Sequence, residues 1–250
     1  VIIILVILSA DIFYEVNFPK INRIEIRTEK IAAGQEIKIM QITDLHDKKF
    51  FNDQTQIYDK IVKQNPDFIV LTGDIIDRST KDYSYVYSFV DNLEKISSRI
   101  YFVPGNHELD HKDIEDFIGQ LQKRGLIIAG SRPEYYGNID IYGTRYHDDI
   151  PAVLSPQRFS LLLVHDPSFV IENGAGFDMI ISGHAHGGQV RLPFIGAIYA
   201  PGQGIFPKYS KGLFDIKGTE LYIDSGMGNT FLPIRFLDQS QFTVIDLVSK

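Results

Sequence analysis

The chain has 250 residues, a net charge of -7 and no cysteine. That length suits one large α/β domain or two small ones. Disulfides, thiolate zinc sites and cysteine nucleophiles are excluded. The acidic balance, with no long basic run, argues against a nucleic-acid groove, because duplex binding rests on Lys and Arg contacts to phosphate.

Val1 to Leu8 is continuously apolar and a polar stretch, Asp11 to Lys20, comes after it. A spanning helix needs about 20 apolar residues, more than this run provides. Residues 1–20 therefore read as a truncated N-terminal membrane anchor or signal remnant with its connector, the plainer alternative being a buried strand or helix. Lys20, Arg23, Arg27 and Lys30 weakly favour a cytoplasmic side for the C-terminal portion of the chain. Acidic residues are interleaved with them, so the side of the membrane stays open, with a bacterial cell envelope as one address. Residues 21–250 show no internal repeat and no low-complexity linker, and read as one domain.

In chain order, Asn22 to Thr28 alternates like a strand, and Ile37 to Ile42 is the first core strand. Asn52 to Gln64 reads as a helix with Asn52 as N-cap and Ile57, Ile61 and Val62 on one face. Phe68 to Leu71 is a strand, Thr80 to Ser97 a helix with Val86, Val90, Leu93 and Ile96 inward, and Ile100 to Val103 a strand. Asp110 to Arg124 is a helix that stops at Gly125, with Ile114, Phe117, Ile118 and Leu121 inward. Leu126 to Ala129 and Ile139 to Tyr142 are strands. The alternation predicts βαβ units and a largely parallel sheet. From Ser160 the connections shorten. Ser160 to Val164, Asp178 to Ser182, Gln189 to Leu192, Leu221 to Ile223 and Phe242 to Leu247 read as a second, mixed or antiparallel sheet. Leu192 to Leu213, rich in Gly, Pro and aromatics, is too long for a plain connection. It covers a sheet edge, or it contacts lipid or an apolar part of a substrate.

Five apolar runs each end in a turn carrying Asp, His or Asn: Asp44 and His46, Asp74, Asn106 and His107, His165, and His184 and His186. In open α/β sheets ligands bind beyond the carboxyl ends of the strands. No packed core needs such a mixture, whereas a pair of divalent metals does. Two metals about 3.5–4 Å apart clamp a transferring phosphoryl group and lower the pKa of water, so a metal-bridging hydroxide is available as nucleophile near neutral pH. Asp74 is the natural bridging carboxylate, because Gly73 lets the backbone turn tightly. Asp44 and His46, two apart, can reach one metal; His184 and His186, also two apart, can serve one each. Asn106 adds a neutral oxygen that leaves the site positive. His107 can lean over the substrate and protonate a leaving oxygen, oriented by Asp110 or Glu108.

The series Asp44-x-His46, Gly73-Asp74, Gly105-Asn106-His107-Glu108, His165 and Gly183-His184-x-His186 resembles the calcineurin-like metallophosphoesterase superfamily. Gly183 to Pro193, Pro201 to Leu213 and Ser225 to Arg235 are similar to a narrower branch, the small bacterial membrane-associated or exported phosphoesterases of the YkuE/YaeI type. The resemblance implies an α/β fold, a four-layer αββα sandwich of two mixed β-sheets flanked by helices. It implies one metal on Asp44, His46, Asp74 and His186, a second on Asp74, Asn106, His165 and His184, and a catalytic His107. The implied function is phosphodiester or phosphomonoester hydrolysis with two divalent ions. Manganese is expected first, then iron, zinc, nickel, cobalt or magnesium. A membrane-linked substrate is plausible from the N-terminal run. No nucleic acid and no protein partner are expected.

Gly73-Asp74-Ile75-Ile76-Asp77-Arg78 is also similar to the Ser/Thr protein phosphatases, but the short chain and the close His184/His186 pair depart from their pattern. A metal-binding scaffold without turnover is the second reading, disfavoured because every ligand position is filled. A closed structural zinc site is the third, disfavoured because such sites are mononuclear. His111 and His147 read as surface residues, Asp77 and Arg78 as loop, capping or supporting residues, and Arg145, Arg191 and Arg235 as structural or phosphate-contacting.

Overall fold

The chain opens with helix α1 (Ile2–Asn17) and strand β1 (Lys20–Thr28), then β2 (Glu36–Ile42), α2 (Thr55–Gln64), β3 (Phe68–Leu71), α3 (Ser84–Glu94) and β4 (Ile100–Phe102). A one-turn helix α4 (Asn106–Leu109) and α5 (Ile114–Lys123) precede β5 (Leu126–Ile128), β6 (Glu134–Tyr136), β7 (Ile139–Gly143) and β8 (Phe159–Leu163). Helix α6 (Ser168–Asn173) and β9 (Met179–Ser182) lead into two small hairpins. These are β10 (Arg191–Leu192) with β11 (Gly196–Ala197), and β12 (Tyr199–Ala200) with β13 (Gly204–Ile205). Strands β14 (Gly212–Ile216), β15 (Thr219–Ile223) and β16 (Gln241–Ser249) close the chain. The computed structural model describes residues 1–50, 54–145, 149–174, 176–230 and 232–250. Asn52, expected as a helix cap, and His147 lie outside them.

Two six-stranded sheets form, in the orders β1-β16-β2-β3-β4-β5 and β14-β15-β9-β8-β7-β6. Strand alternation sorts each sheet's side chains into two faces. Met40, Ile42, Ile69, Leu71 and Phe102 pack on the apolar stripes of α2, α3 and α5. Their neighbours Ile37, Ile39, Phe68, Val70 and Tyr101 meet Ile139, Leu161, Leu163 and Ile181 of the second sheet. The far face of that sheet, with Leu162, Ile180 and Leu221, is covered by Val170 of α6 and by loop residues such as Phe177 and Ala200. The layers run helix, sheet, sheet, and a thin outer layer of one short helix and loops.

Three strand assignments differ from the sequence reading. Ile139–Gly143 belongs to the second sheet, where β7, β8, β9 and β15 run parallel and only the edges are antiparallel. The C-terminal strand returns to the first sheet, parallel to β1 and antiparallel to β2. Of Gln189 to Leu192 only the last two residues are strand. Short apolar runs carry no label for the sheet they join. The polar stretch after Leu8 is helical as far as Asn17, so α1 has 16 residues, and among the described residues no helix is long and apolar enough to cross a membrane. Lys48 Nζ donates to Val16 O at 2.5 Å and Gln239 Nε2 to Phe18 O at 2.6 Å, capping the carbonyls at the end of α1.

The two sheets are stitched at the edge where β2, β3 and β9 end. Gln41, fully buried between them, donates to Thr72 Oγ1 at 2.9 Å and to Ser182 O at 2.8 Å. Arg235, also fully buried, gathers the loop behind Asp44. It donates to Ser225 O at 2.6 Å, to Gly228 O at 2.7 Å and to Asp238 Oδ2 at 3.1 Å. That loop in turn donates from Met227 N to Thr43 O at 3.1 Å. Arg235 is therefore structural, not a phosphate contact. Arg235→Met leaves a buried carboxylate and three carbonyls short of a donor, a loss of about 3–5 kcal/mol. The thermal midpoint, followed by circular dichroism, should fall by roughly 6–20 °C.

Candidate dinuclear metal centre

Each site residue sits just past a strand end. Asp44 and His46 follow β2, Asp74 follows β3, Asn106 and His107 begin α4 after β4, His165 follows β8, and His184 and His186 follow β9. The loops after β2 and β3 keep pairing beyond their strands, with Asp44 N donating to Gly73 O at 3.0 Å and His46 N to Asp74 O at 2.9 Å. Asp44, His46, Asp74, His184 and His186 all have φ between 49° and 68°. Left-handed backbone at a residue other than glycine costs on the order of 1–3 kcal/mol and collects at functional sites. Here it curls the loops so that their side chains meet in common clusters.

Close backbone approach explains two glycines. Gly73 has φ of 84°, and a Cβ there would lie 2.6 Å from Gly105 N. A Cβ on Gly105 would collide with Asp74 Oδ1. Glu108, wholly buried, locks the same junction by accepting from Asp74 N at 2.7 Å, Gly105 N at 2.8 Å and Ile76 N at 3.0 Å.

The seven candidate ligands form two clusters that share Asp74. In one, His186 Nε2 lies 3.2 Å from His46 Nε2 and 3.3 Å from Asp44 Oδ1. In the other, His165 Nε2 lies 3.2 Å from Asp74 Oδ2, 3.1 Å from Asn106 Oδ1 and 3.1 Å from His184 Nδ1. Asp74 Oδ2 is 3.8 Å from His46 Nε2. His165 Nδ1 donates to Thr72 O at 2.8 Å, which leaves Nε2 as the nitrogen turned to the acceptors around it. Lone pairs converge here with nothing of the chain's own between them. That is the donor chemistry of a cation site, and the mix of carboxylate, amide oxygen and imidazole suits first-row divalent metals.

The electrostatics agree. Burial lowers His46 to about 4, lowers His184 to about 4 with help from His165, and holds His186 well below its usual value. These rings stay neutral, as metal ligation requires. Burial pushes Asp44 up to about 7, and burial with the Asp74 charge does the same to Glu108. Burial opposes charge on both Asp74 and His165, yet each stabilises the other's: Asp74 is held below the carboxylate range and His165 rises to about 10. Among the described residues His165 does most to favour the charge on Asp74, with smaller contributions from His46 and His107.

His107 Nδ1 is 2.7 Å from Asp77 Oδ1, and its Nε2 is 3.0 Å from Arg78 NH1. Burial disfavours charge on His107, but the Asp77 hydrogen bond and the charges of Asp74 and Asp77 together outweigh it and raise the ring above its usual value. Neither carboxylate expected to orient His107 does so. Glu108 faces backbone amides, and Asp110 accepts from Arg78 Nε at 2.7 Å. The partner is Asp77. His111, expected at the surface, is buried; its Nε2 lies 2.8 Å from Thr80 O and its ring is packed edge-on to Tyr83. Arg191 NH1 donates to Gly187 O at 2.6 Å, and Arg145 is exposed beside a hollow that His165 and Asp166 also line.

Sequence reading missed two supports. Thr43 Oγ1 donates to Asp44 Oδ2 at 2.9 Å, and Asp166 Oδ2 lies 3.6 Å from His184 Nε2. Asp166 is fixed by Ser168, whose Oγ donates to Asp166 Oδ1 at 2.6 Å. An Asp directly after a candidate ligand was the available signal.

The model for calcineurin-like phosphoesterases matches residues 37–188, which take in every candidate ligand. The chain belongs to that family. Its members hydrolyse phosphoesters with bound metal, and this chain is a metal-dependent phosphoesterase. YkuE of Bacillus subtilis (strain 168), an uncharacterized metallophosphoesterase, is 30% identical over 90% of this chain and 84% of its own length. A metallophosphoesterase of Helicobacter pylori (strain J99), likewise uncharacterized, is 28% identical, over 95% of this chain and 66% of its own. The phosphodiesterase YaeI of Escherichia coli (strain K12) is 26% identical over 84% and 82%.

A carboxylate behind a ligating histidine fixes its tautomer and typically contributes 10–100-fold in metal affinity. Asp166→Asn should weaken binding of one of two manganese ions by about that factor, read by calorimetry, with the other unchanged. Equal weakening of both would assign Asp166 a different role.

Proposed function

We propose that the protein hydrolyses phosphodiesters or phosphomonoesters at a centre of two divalent ions. One is held by Asp44, His46, Asp74 and His186, the other by Asp74, Asn106, His165 and His184. The observation that carries this is Asp74, placed between two donor clusters and within 4 Å of a histidine in each. When bound, the ions polarise phosphoryl oxygens and lower the pKa of water. Manganese fits first; iron, zinc, nickel, cobalt and magnesium suit the same donors.

The chain's own residues do the rest. Asp77, Arg78, Asn106, His107, His184 and His186 line a cleft of about 600 Å³. Asp77 accepts a hydrogen bond from His107 Nδ1, which turns Nε2 to the cleft, and the raised affinity of the ring for a proton lets Nε2 take one up from solvent and pass it to the leaving oxygen. Arg78 stands beside that nitrogen and offers charge to a phosphoryl oxygen. The unpartnered apolar turns of α1, exposed from Val1 to Leu8, support membrane association through the N-terminus and hence a membrane-associated substrate.

With manganese, the protein should hydrolyse bis(p-nitrophenyl) phosphate, and chelator should abolish this. His107→Ala should lower kcat by about 10²–10⁴-fold while retaining metal, and Asn106→Ala should lower both turnover and metal content. Full metal loading without turnover of any phosphoester would favour a binding scaffold. For the membrane reading, Ile3→Glu with Ile7→Glu should release the chain from sedimenting liposomes; unchanged sedimentation sinks that part alone.

A further inference from the structure

Beside the cleft lies a second hollow of about 430 Å³, walled by Ala185, Val190, Ile198, Tyr199, Pro201 and Leu232. His186, Pro201 and Thr230 line both spaces. The wall is built, not incidental: the buried Gln189 side chain donates to Leu232 O at 2.7 Å and to Ile234 O at 3.0 Å. Thr230 Oγ1 donates to the same amide's oxygen. Phe194, Ile195, Ile205 and Phe206 are exposed on the two hairpins, one of which supplies Tyr199 to the wall.

We infer that this hollow is the subsite for the hydrocarbon portion of an amphiphilic phosphoester, an inference that rests on the phosphoesterase reading above. The shared walls select the occupant. Anything filling the hollow lies against His186, a candidate metal ligand, so a partner protein or a folded-back segment there would crowd the reaction cleft. The group that must sit against His186 during turnover is the substrate. Its charged phosphoryl group meets the polar side of the cleft at Asp77, Arg78 and His107, while the hollow offers almost only carbon. That division matches a phosphate ester with an apolar tail. A tail longer than the hollow continues over the exposed hairpin residues.

The test is calorimetric binding of butylphosphonate and decylphosphonate, neither of which can be hydrolysed, to the manganese-loaded full chain, below the micelle concentration. Burying a methylene strengthens binding by about two- to fourfold. Decylphosphonate should therefore bind at least about fifty-fold tighter. In Leu232→Ser and, separately, Ile198→Ser, the decyl-to-butyl ratio should shrink several-fold. Leu232 is half exposed, so serine there spares the fold. Equal binding of the two phosphonates, or a ratio unmoved in both variants, overturns the subsite and leaves the phosphoesterase reading standing. Binding of neither, in protein that hydrolyses bis(p-nitrophenyl) phosphate, overturns the subsite alone; binding of neither in protein that also hydrolyses no phosphoester counts against both.

Discussion

Electron-rich atoms crowded into a buried space repel one another, and the rest of this structure answers to that repulsion. Asp44, Asp74, Asn106 and the four surrounding histidines bring oxygens and nitrogens to within 3.1–4.0 Å of each other, with all but Asn106 and His184 buried. Water reaches them only from the cleft side, and each unpaired buried charge would cost several kcal/mol. Protons relieve the strain only in part, because burial keeps three of the histidines neutral. Divalent cations relieve it fully, so the cluster is intelligible as a metal cradle and as little else.

Holding such a cluster together demands a frame that does not relax. The frame is the line along which the two sheets meet. Gln41 ties β2 to the ends of β3 and β9, Glu108 ties the Asp74 turn to the start of α4, and His184 N donates to both oxygens of Asp44 at 3.1 and 3.2 Å. Apart from the local bond from Gly105 N to Glu108, each of these joins segments distant in sequence. The left-handed residues are tolerated because neighbours on two sheets fix them at once. Arg235 extends the same principle outward, since the loop it gathers lies against Asp44 and its neighbour Asp238 links to the end of α1 through Glu15.

The site was largely legible because its residue types are rare at strand ends, and five such ends in a row leave little room for chance. The central strands and three long helices were legible because their apolar periods are strong. The features that escaped depend on partners far away in sequence. Asp77 orients His107 across 30 residues, a choice that spacing could not make against the nearer Glu108 and Asp110. His111 is buried only because Tyr83 and Thr80 of another segment close over it. The C-terminal strand's place between β1 and β2 is a matter of topology, and a nine-residue apolar strand fits either sheet equally well by composition.

The apolar side of the molecule and its polar centre are built on shared ground. Val190 bridges to Phe236, and Arg191 N donates to Phe236 O at 3.0 Å, so the first hairpin is rooted beside the segment that receives α1. Two residues on, Asp238 N donates to Glu15 Oε2, and Ser240 Oγ to Glu15 O at 2.9 Å. Residues 236 to 240 span at most about 18 Å even when extended. The root of the exposed helix, the root of the apolar hairpin and the His186 turn therefore sit within one short reach. A chain that only needed a soluble phosphate ester would gain nothing from exposing Phe194 and Phe206 there, since apolar area left in water costs roughly 25 cal/mol per Å². An apolar surface rooted beside the candidate metal site is what the proposed ester, with its apolar part, would require.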